Sequence, residues 1–389
     1  MKFRLILLLS IFAMYSNAQV NAVKSNKKGS TLKFSVEKDI THSDVKNQGA
    51  TGTCWSFSSE SFLESEIIKA GHEPVDLAEM FIARKAYEEK AEKYVRMLGK
   101  TNFGQGGEPH DVMNMMNKYG ALPQEVYTGL VGDQKKYDHS ELESVLKAFC
   151  DALVKTVEAG RPLSKSWKSA MGAILDSYLG KVPEKFDYKG KSYTPKSFSA
   201  SLGINPEDYV EITSFTHHPF YQKFMIEIPD NWSDDLVYNV PLDELEAIAD
   251  NAIANNYSIE WASDVSEKYF SHKSGLAIVP EKDFSEMAQV DKDSLFLRPV
   301  VEKTITQEMR QEGFDNQTTQ DDHGMHITGM VADQTGKKYY VVKNSWGNDS
   351  NDNGGFFYCS KAYFRYKTTG IMVNKKAVPA AIAKKLGIM

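Results

Sequence analysis

The sequence predicts an α+β protein of two lobes with a cleft between them, the helical lobe carrying a helical insertion. Two patterns carry this prediction. Segments with apolar residues at helical spacing dominate the first half of the chain, and short β-like runs bounded by turn residues dominate the last third. A third observation is size: 389 residues, 41% hydrophobic and 11% aromatic, are enough for a large core or for two packed lobes.

The N-terminus reads Met-Lys-Phe-Arg, then an apolar run from Leu5 to Tyr15, then Ser16-Asn17-Ala18. Residues 1–18 have the pattern of a secretory signal, with cleavage expected after Ala18 and an exported product, periplasmic or secreted. The apolar run is too short to span a bilayer, and no later stretch reaches about 20 apolar residues, so no membrane insertion is expected after cleavage. A polar arm, residues 19–31, is expected to be flexible, and folding to begin at Leu32.

From Cys54, the residues Trp55, Phe57, Phe62, Leu63, Ile67 and Ile68 recur at helical period up to Ala70-Gly71, where Gly supplies the stop. Helices are also expected over Leu77–Leu98 and over Glu108–Tyr119, the latter closed by Gly120. The next begins with a capping box, Ser140 and Glu143, followed by Leu142, Val145, Leu146, Phe149 and Leu153. With a further helix over Ser164–Tyr178, residues 138–182 form the insertion. Strand signals follow at 186–188, 191–193 and 224–228, and a helix at Leu242–Asn255. The last third predicts a hairpin of His326–Ala332 and Tyr339–Lys343, then a strand over Gly355–Cys359, and a C-terminal tail over 375–389.

Composition excludes some function classes. The net charge of −6, with 25% charged residues and no long like-charge block, argues against an extended basic face for nucleic acid. Three cysteines, Cys54, Cys150 and Cys359, do not make a disulfide framework for a chain this long. At least one thiol must be free, and unpaired Cys150 and Cys359 are expected. His217-His218 has neither a carboxylate nor a third His at ligand spacing, so no metal is expected.

The densest chemistry lies in Asn47-Gln48-Gly49-Ala50-Thr51-Gly52-Thr53-Cys54-Trp55-Ser56-Phe57. A thiol at a helix N-terminus feels the partial positive charge and free N–H groups that favour its thiolate. Gln48 can place an amide donor beside the Cys54 N–H, a pairing that can hold an oxyanion. A base is available in Asp322-His323-Gly324-Met325-His326, and an orienting amide in Asn344-Ser345-Trp346-Gly347. Of the two histidines, His326 is the expected base, because Ile327, Thr328 and Met330 continue from it as a strand. Trp346 is expected to cover the His–Asn hydrogen bond from water.

These segments resemble the papain superfamily of cysteine peptidases, which carry Gln, Cys, His and Asn in this order. Gly52-Thr53 stands where the papain branch has Gly-Ser or Gly-Ala before the Cys. The Cys-to-His distance is about twice the 130–150 residues usual for papain itself. That length, together with Asn117-Lys118-Tyr119-Gly120 and Tyr238-Asn239-Val240-Pro241-Leu242, resembles the bleomycin hydrolase or aminopeptidase C branch. The resemblance spans roughly residues 40–389. It implies a papain-like two-lobe fold, a homohexamer, peptide substrates, no metal or organic cofactor, and aminopeptidase activity through Cys54, His326, Asn344 and Gln48. It also implies that the C-terminal carboxylate, on Met389, lies in the cleft and holds the substrate's amine. Gly106 and Gly107, in Gly104-Gln105-Gly106-Gly107, resemble a glycine strip along which substrate main chain binds. The rival readings are a papain-like endopeptidase, a transglutaminase-like acyl transferase, and a non-catalytic peptide- or nucleic-acid-binding protein on a peptidase scaffold.

Overall fold

Helix Cys54–Lys69 is the element around which the rest is arranged. Its residues from Trp55 to Ile67 are all buried, the polar ones included. Such a helix cannot show a clean apolar stripe, and its polar side chains must find partners inside the protein. They do so on several sides. Ser56 Oγ donates to the Glu79 carbonyl at 2.9 Å, Ser58 Oγ to Glu260 at 2.7 Å, and Leu77 N–H to Glu64 at 2.8 Å. The small serines let neighbouring elements come close.

On one side stands the helical lobe, described with the rest of residues 24–389 by a computed structural model. Helices Glu79–Arg96, Pro109–Tyr119, Ser140–Glu158 and Ser166–Leu179 share one apolar core with the central helix, built on Phe62, Leu63, Met80, Phe81, Val112 and Leu146. The two helices expected as an insertion are thus integral to this lobe. Leu142, Leu146 and Cys150 point into the common core. The expected Ser140 cap is displaced by one position: His139 is the cap residue, and Asp138 Oδ1 accepts from the Ser140 N–H at 3.0 Å.

On the other side lies an eleven-stranded sheet. Strand His323–Asp333 is its spine. It pairs antiparallel with Lys338–Lys343, with Ile259–Ser263 and with Phe34–Asp39. A second apolar core, with Ile248, Trp261, Ile327, Val342, Phe357 and Ile371, packs helices Leu242–Ala254 and Lys361–Lys367 on this sheet. Among the described residues no helix is long and apolar enough to cross a membrane.

Two expectations about the chain ends change here. Residues 24–31 of the expected flexible arm are pinned: Asn26 is fully buried, donating to the Ser274 and Phe296 carbonyls at 2.7 and 2.9 Å, and Lys24 bridges to Phe34. The expected signal and its cleavage point lie outside the described residues. At the other end, helix Ala380–Leu386 buries Ile382, Ala383 and Leu386 in the second core with Leu242, Leu245 and Ile248, and Lys385 pairs with Glu244. The tail is therefore docked on helix Leu242–Ala254. Met389 is 83% exposed and is not among the residues that line the cavity at Cys54.

Between the central helix and the helical lobe sits Lys46. Its ammonium bonds the Glu64 carboxylate and the Leu77 carbonyl, both at 3.2 Å, and pairs with Glu79 and Asp76. Glu64 and Glu79 are fully buried, and Glu60 lies close enough to feel the same charges. Although burial opposes the charge, Glu79, Glu64 and Asp76 hold the Lys46 ammonium well above its ordinary range. Replacing Lys46 by Met leaves buried carboxylates without their counter-ion. Urea unfolding of K46M is expected to show a loss of about 3–5 kcal/mol.

Candidate active site

Cys54 is the first residue of the central helix, after Thr53. The loop before it is held from two directions. Gln48 N–H donates to the Ser345 carbonyl at 2.9 Å, Gly347 N–H donates to the Lys46 carbonyl at 3.0 Å, and Asn47 bridges to Trp346. Segment 46–48 is thereby zipped onto segment 345–347. From the other lobe, Gln105 Oε1 accepts from Gly52 N–H at 2.7 Å, and the Gln105 carbonyl accepts from Trp55 Nε1 at 2.9 Å. Glu143, on helix Ser140–Glu158, in turn fixes the Gln105 amide at 2.7 Å. Gly49 has φ +65°, and an added Cβ would lie 2.4 Å from the Tyr137 carbonyl oxygen, so this turn requires glycine.

Gln48 is buried, and its side chain is fixed at both ends. Oε1 accepts from Ser345 Oγ at 2.6 Å, and Nε2 donates to the Thr51 carbonyl at 2.7 Å. An amide nitrogen carries two hydrogens, so one remains to donate.

The histidine assignment is corrected by strand parity. Strand His323–Asp333 begins three residues before the expected start at His326. Side chains alternate between the faces of a strand, so His323 and His326 point opposite ways. Gly324 and His326 face the central helix: a Cβ on Gly324 would meet Ser58 at 2.7 Å, and His326 Nδ1 bonds Ser61 Oγ at 2.8 Å. In the antiparallel pairing His326 lies opposite Lys343, whose ammonium also reaches Ser61, at 2.8 Å. One step further along that register, Asn344 falls on the face of Met325 and His323. Asn344 Oδ1 accordingly accepts from His323 Nε2, at 2.7 Å. His326 is also remote from the thiol. Its partner Ser61 stands seven residues along the helix from Cys54, about 10 Å at a rise of 1.5 Å per residue.

His323 lines a small cavity with Cys54, Gly107 and Gly324. Because Asn344 Oδ1 also accepts from Ser345 N–H, at 2.8 Å, it is the amide oxygen that faces His323. The ring must then carry its proton on Nε2, which leaves Nδ1 as the acceptor. Trp346 stacks on His323 with ring centroids 4.7 Å apart and an interplanar angle of 28°. The cover expected of Trp346 is thus over His323. The other end of the Asn344 amide meets His272, which the sequence did not single out. Nδ2 lies 3.1 Å from His272 Nδ1, and His272 Nε2 lies 2.7 Å from Ser350 Oγ. Burial lowers the His272 pKa to about 4, so its ring is neutral and its Nδ1 can accept.

Burial dominates the electrostatics of the pair. It pushes the Cys54 thiol up to about 12, against a backbone hydrogen bond from Gly324, and the carboxylates of Asp321 and Asp230 push the same way. Burial also lowers the His323 pKa, against the Asn344 hydrogen bond. Each group alone is neutral near pH 7. Ionisation of the pair amounts to passing one proton from Sγ to the imidazole, which Asn344 then steadies.

The expected glycine strip is largely covered. A Cβ on Gly106 would fall 1.9 Å from Asp230 Oδ2, and one on Gly107 would meet the Trp55 ring at 2.9 Å. Gly107 still lines the cavity at Cys54, whereas Gly106 lies under Asp230. His217 and His218, read as lacking a carboxylate at ligand spacing, are met by Glu227, which bonds both imidazoles at 3.0 and 2.9 Å. All three cysteines are free.

A thiol at a helix N-terminus, an imidazole on an asparagine amide and a second amide donor define a papain-like thiol hydrolase site. A model of the Peptidase C1-like family matches residues 8–387, and the chain belongs to that family of cysteine peptidases. It is 22% identical to Aminopeptidase C of Streptococcus thermophilus, over 95% of this chain and 88% of that one. It is 21% identical to "Cysteine proteinase 1, mitochondrial" of Saccharomyces cerevisiae, over 95% of this chain and 82% of that one. The fold matches the crystal structure of pepw from Lactobacillus rhamnosis with a TM-score of 0.68 at 21% identity, over 91% of this chain and 84% of that one.

These matches overturn the expectation of export. The family match starts at residue 8, inside the segment read as a removable signal, and the yeast relative is named for the mitochondrion.

Replacing His323 by Ala is expected to lower kcat for peptide amide hydrolysis by about 10²–10⁴. His326→Gln, which keeps a polar group against Ser61, is expected to leave kcat within about threefold while lowering thermal stability. Steady-state kinetics and melting curves of the two variants check this pair of outcomes.

Proposed function

We propose that the protein is a cysteine aminopeptidase, removing N-terminal residues from peptides through an acyl-enzyme on Cys54. His323 Nδ1 takes the thiol proton as Sγ attacks the scissile carbonyl. The Cys54 N–H and the free hydrogen of Gln48 Nε2 stabilise the oxyanion. His323 returns the proton to the leaving amine as the C–N bond breaks. Water then enters, giving its proton to His323 as its oxygen attacks the thioester, and the acid leaves as the thiol is restored. Asn344 keeps the imidazole oriented throughout, and Trp346 keeps water off its hydrogen bond.

The observation that carries an exopeptidase reading is Asp230 packed on Gly106. A long substrate running in both directions from Cys54 needs an open track, and here a carboxylate sits on it. Several relatives are named aminopeptidases C, W and G. An endopeptidase would be served poorly by this covered cleft. The same resemblance supports a homohexamer, which light scattering of the purified protein would test: a mass near six times 43.7 kDa is expected, and a monomer rejects it.

An aminoacyl fluorogenic amide and its N-acetylated twin separate the readings. Hydrolysis of the free amine alone, lost in Cys54→Ala, is expected. Equal hydrolysis of both would keep the peptidase and reject the aminopeptidase.

A further inference from the structure

The cavity beside Cys54 is lined by five acidic residues and by no lysine or arginine: Glu108, Asp230, Glu260, Asp321 and Asp322. Several carboxylates facing one small space repel each other and lose hydration. Most of these acids have some support. Asp322 accepts from the Val265 and Ser266 N–H groups, Asp321 from Thr369 Oγ at 2.9 Å, and Asp230 from Asn102 at 3.1 Å. Glu211, close behind, is matched by His110 at 2.7 Å. Two carboxylate oxygens on this wall have no partner. Glu108 is 2% exposed and its Oε1 has no partner; Glu260 is fully buried and its Oε2 has no partner. Buried, unpartnered carboxylate oxygens on the wall of a cavity call for a donor to enter it.

We propose that this cavity seats the α-ammonium group of the substrate, with Glu108, Asp321 and Glu260 as its acceptors. The proposal rests on the aminopeptidase reading and names the chemistry by which that site selects free N-termini. Three features fix the ligand class. An ammonium offers three donors, which suits converging carboxylates. The cavity is small, about 20 Å³, which admits one water-sized group and not a lysine or arginine side chain. It also adjoins Cys54, and the amine of an N-terminal residue lies two bonds from the carbonyl to be attacked.

The empty site has its own resolution of the charge. Burial raises Glu108 well above the carboxylate range and Asp321 to about 6, and a hydrogen bond between the two favours their holding one proton in common. An entering ammonium displaces that proton to solvent and supplies the donor instead. The tail's last helix is docked on Leu242–Ala254, and Met389 does not line this cavity.

The test uses full-length Cys54→Ala, which cannot turn substrate over, and its combinations with Glu108→Gln, Asp321→Asn or Glu260→Gln. Binding of alaninamide and of N-acetylalaninamide is followed by NMR titration, with melting curves to verify folding. The expected result is at least a tenfold loss of alaninamide affinity in the amide variants, with the weak binding of the acetylated compound unchanged. Affinity for alaninamide unchanged within twofold in all folded variants overturns the proposal. Glu108 and Asp321 share a hydrogen bond and act as one unit, whereas Glu260 is held separately by Ser58, and each substitution relieves rather than creates a buried charge, so a single unstable variant leaves two that decide. The outcome is separable from the wider reading. Active enzyme that prefers free amines while binding is unmoved by the substitutions rejects the pocket alone. Active enzyme with no such preference rejects the aminopeptidase reading, and the titration still decides whether the pocket binds an ammonium.

Discussion

The structure depends on one helix being buried on every side. Helix Cys54–Lys69 presents Phe62 and Leu63 to the helical lobe while Ser58 and Ser61 touch groups of the sheet, so it belongs to both. Burying so many polar side chains has to be offset by hydrogen bonds, and serine is short enough to make them without holding neighbours apart. The consequence for chemistry is positional. A helix clamped along its length cannot slide or tilt, so the thiol at its first residue keeps a fixed height relative to the strand that carries the histidines. Lys46 extends the clamp: from just ahead of Gln48, it holds the two buried acids Glu64 and Glu79.

The second constraint is register. Once Lys343 pairs with His326, alternation sends Asn344 to the opposite face, and of the two histidines on the spine strand His323 is the one that meets it. Neither rule involves the identity of the histidines. A slip of one residue would turn Asn344 toward the central helix and point His323 away from its amide. The site is thus secured by the hydrogen-bond ladder of a hairpin, and the stack of Trp346 on His323 caps an orientation the backbone has already chosen.

Much of this was legible in the chain. The helices from Glu79 to Leu179 follow the apolar spacing closely, the bounds of the central helix follow from Cys54 and the stop at Gly71, and the Gln48, Cys54 and Asn344 segments come together as their local sequences imply. The error at His326 came from the start of one strand. Asp322-His323-Gly324 carries no apolar alternation, so sequence pattern places the strand's beginning at the first run of alternating residues. The backbone pairs three residues earlier, His323 with Ser263, for a reason that lies in another segment. His272 and the cavity acids were invisible for a related reason. Glu108, Asp230, Glu260 and Asp321 are spread over more than two hundred residues, and no spacing rule links them. The tail was misplaced because Ile382, Ala383 and Leu386 form a short apolar face whose partner, on helix Leu242–Ala254, is set only by the tertiary fold.

The cavity acids also bear on how the thiol is held before substrate arrives. Cys54 feels two unfavourable influences, its own burial and the negative field of Asp321 and Asp230, and both keep the proton on sulfur. A neutral thiol is a poor nucleophile and also a poor target for oxidation and adventitious alkylation. An ammonium that takes the place of the proton shared by Glu108 and Asp321 leaves the net charge of the cavity as it was, so the field that Asp321 and Asp230 exert on the thiol persists. Recognition and activation are then separate events: the cavity acids select the amine, and His323, steadied by Asn344, receives the thiol proton. On this argument, discrimination against blocked termini belongs to binding rather than to the chemical step.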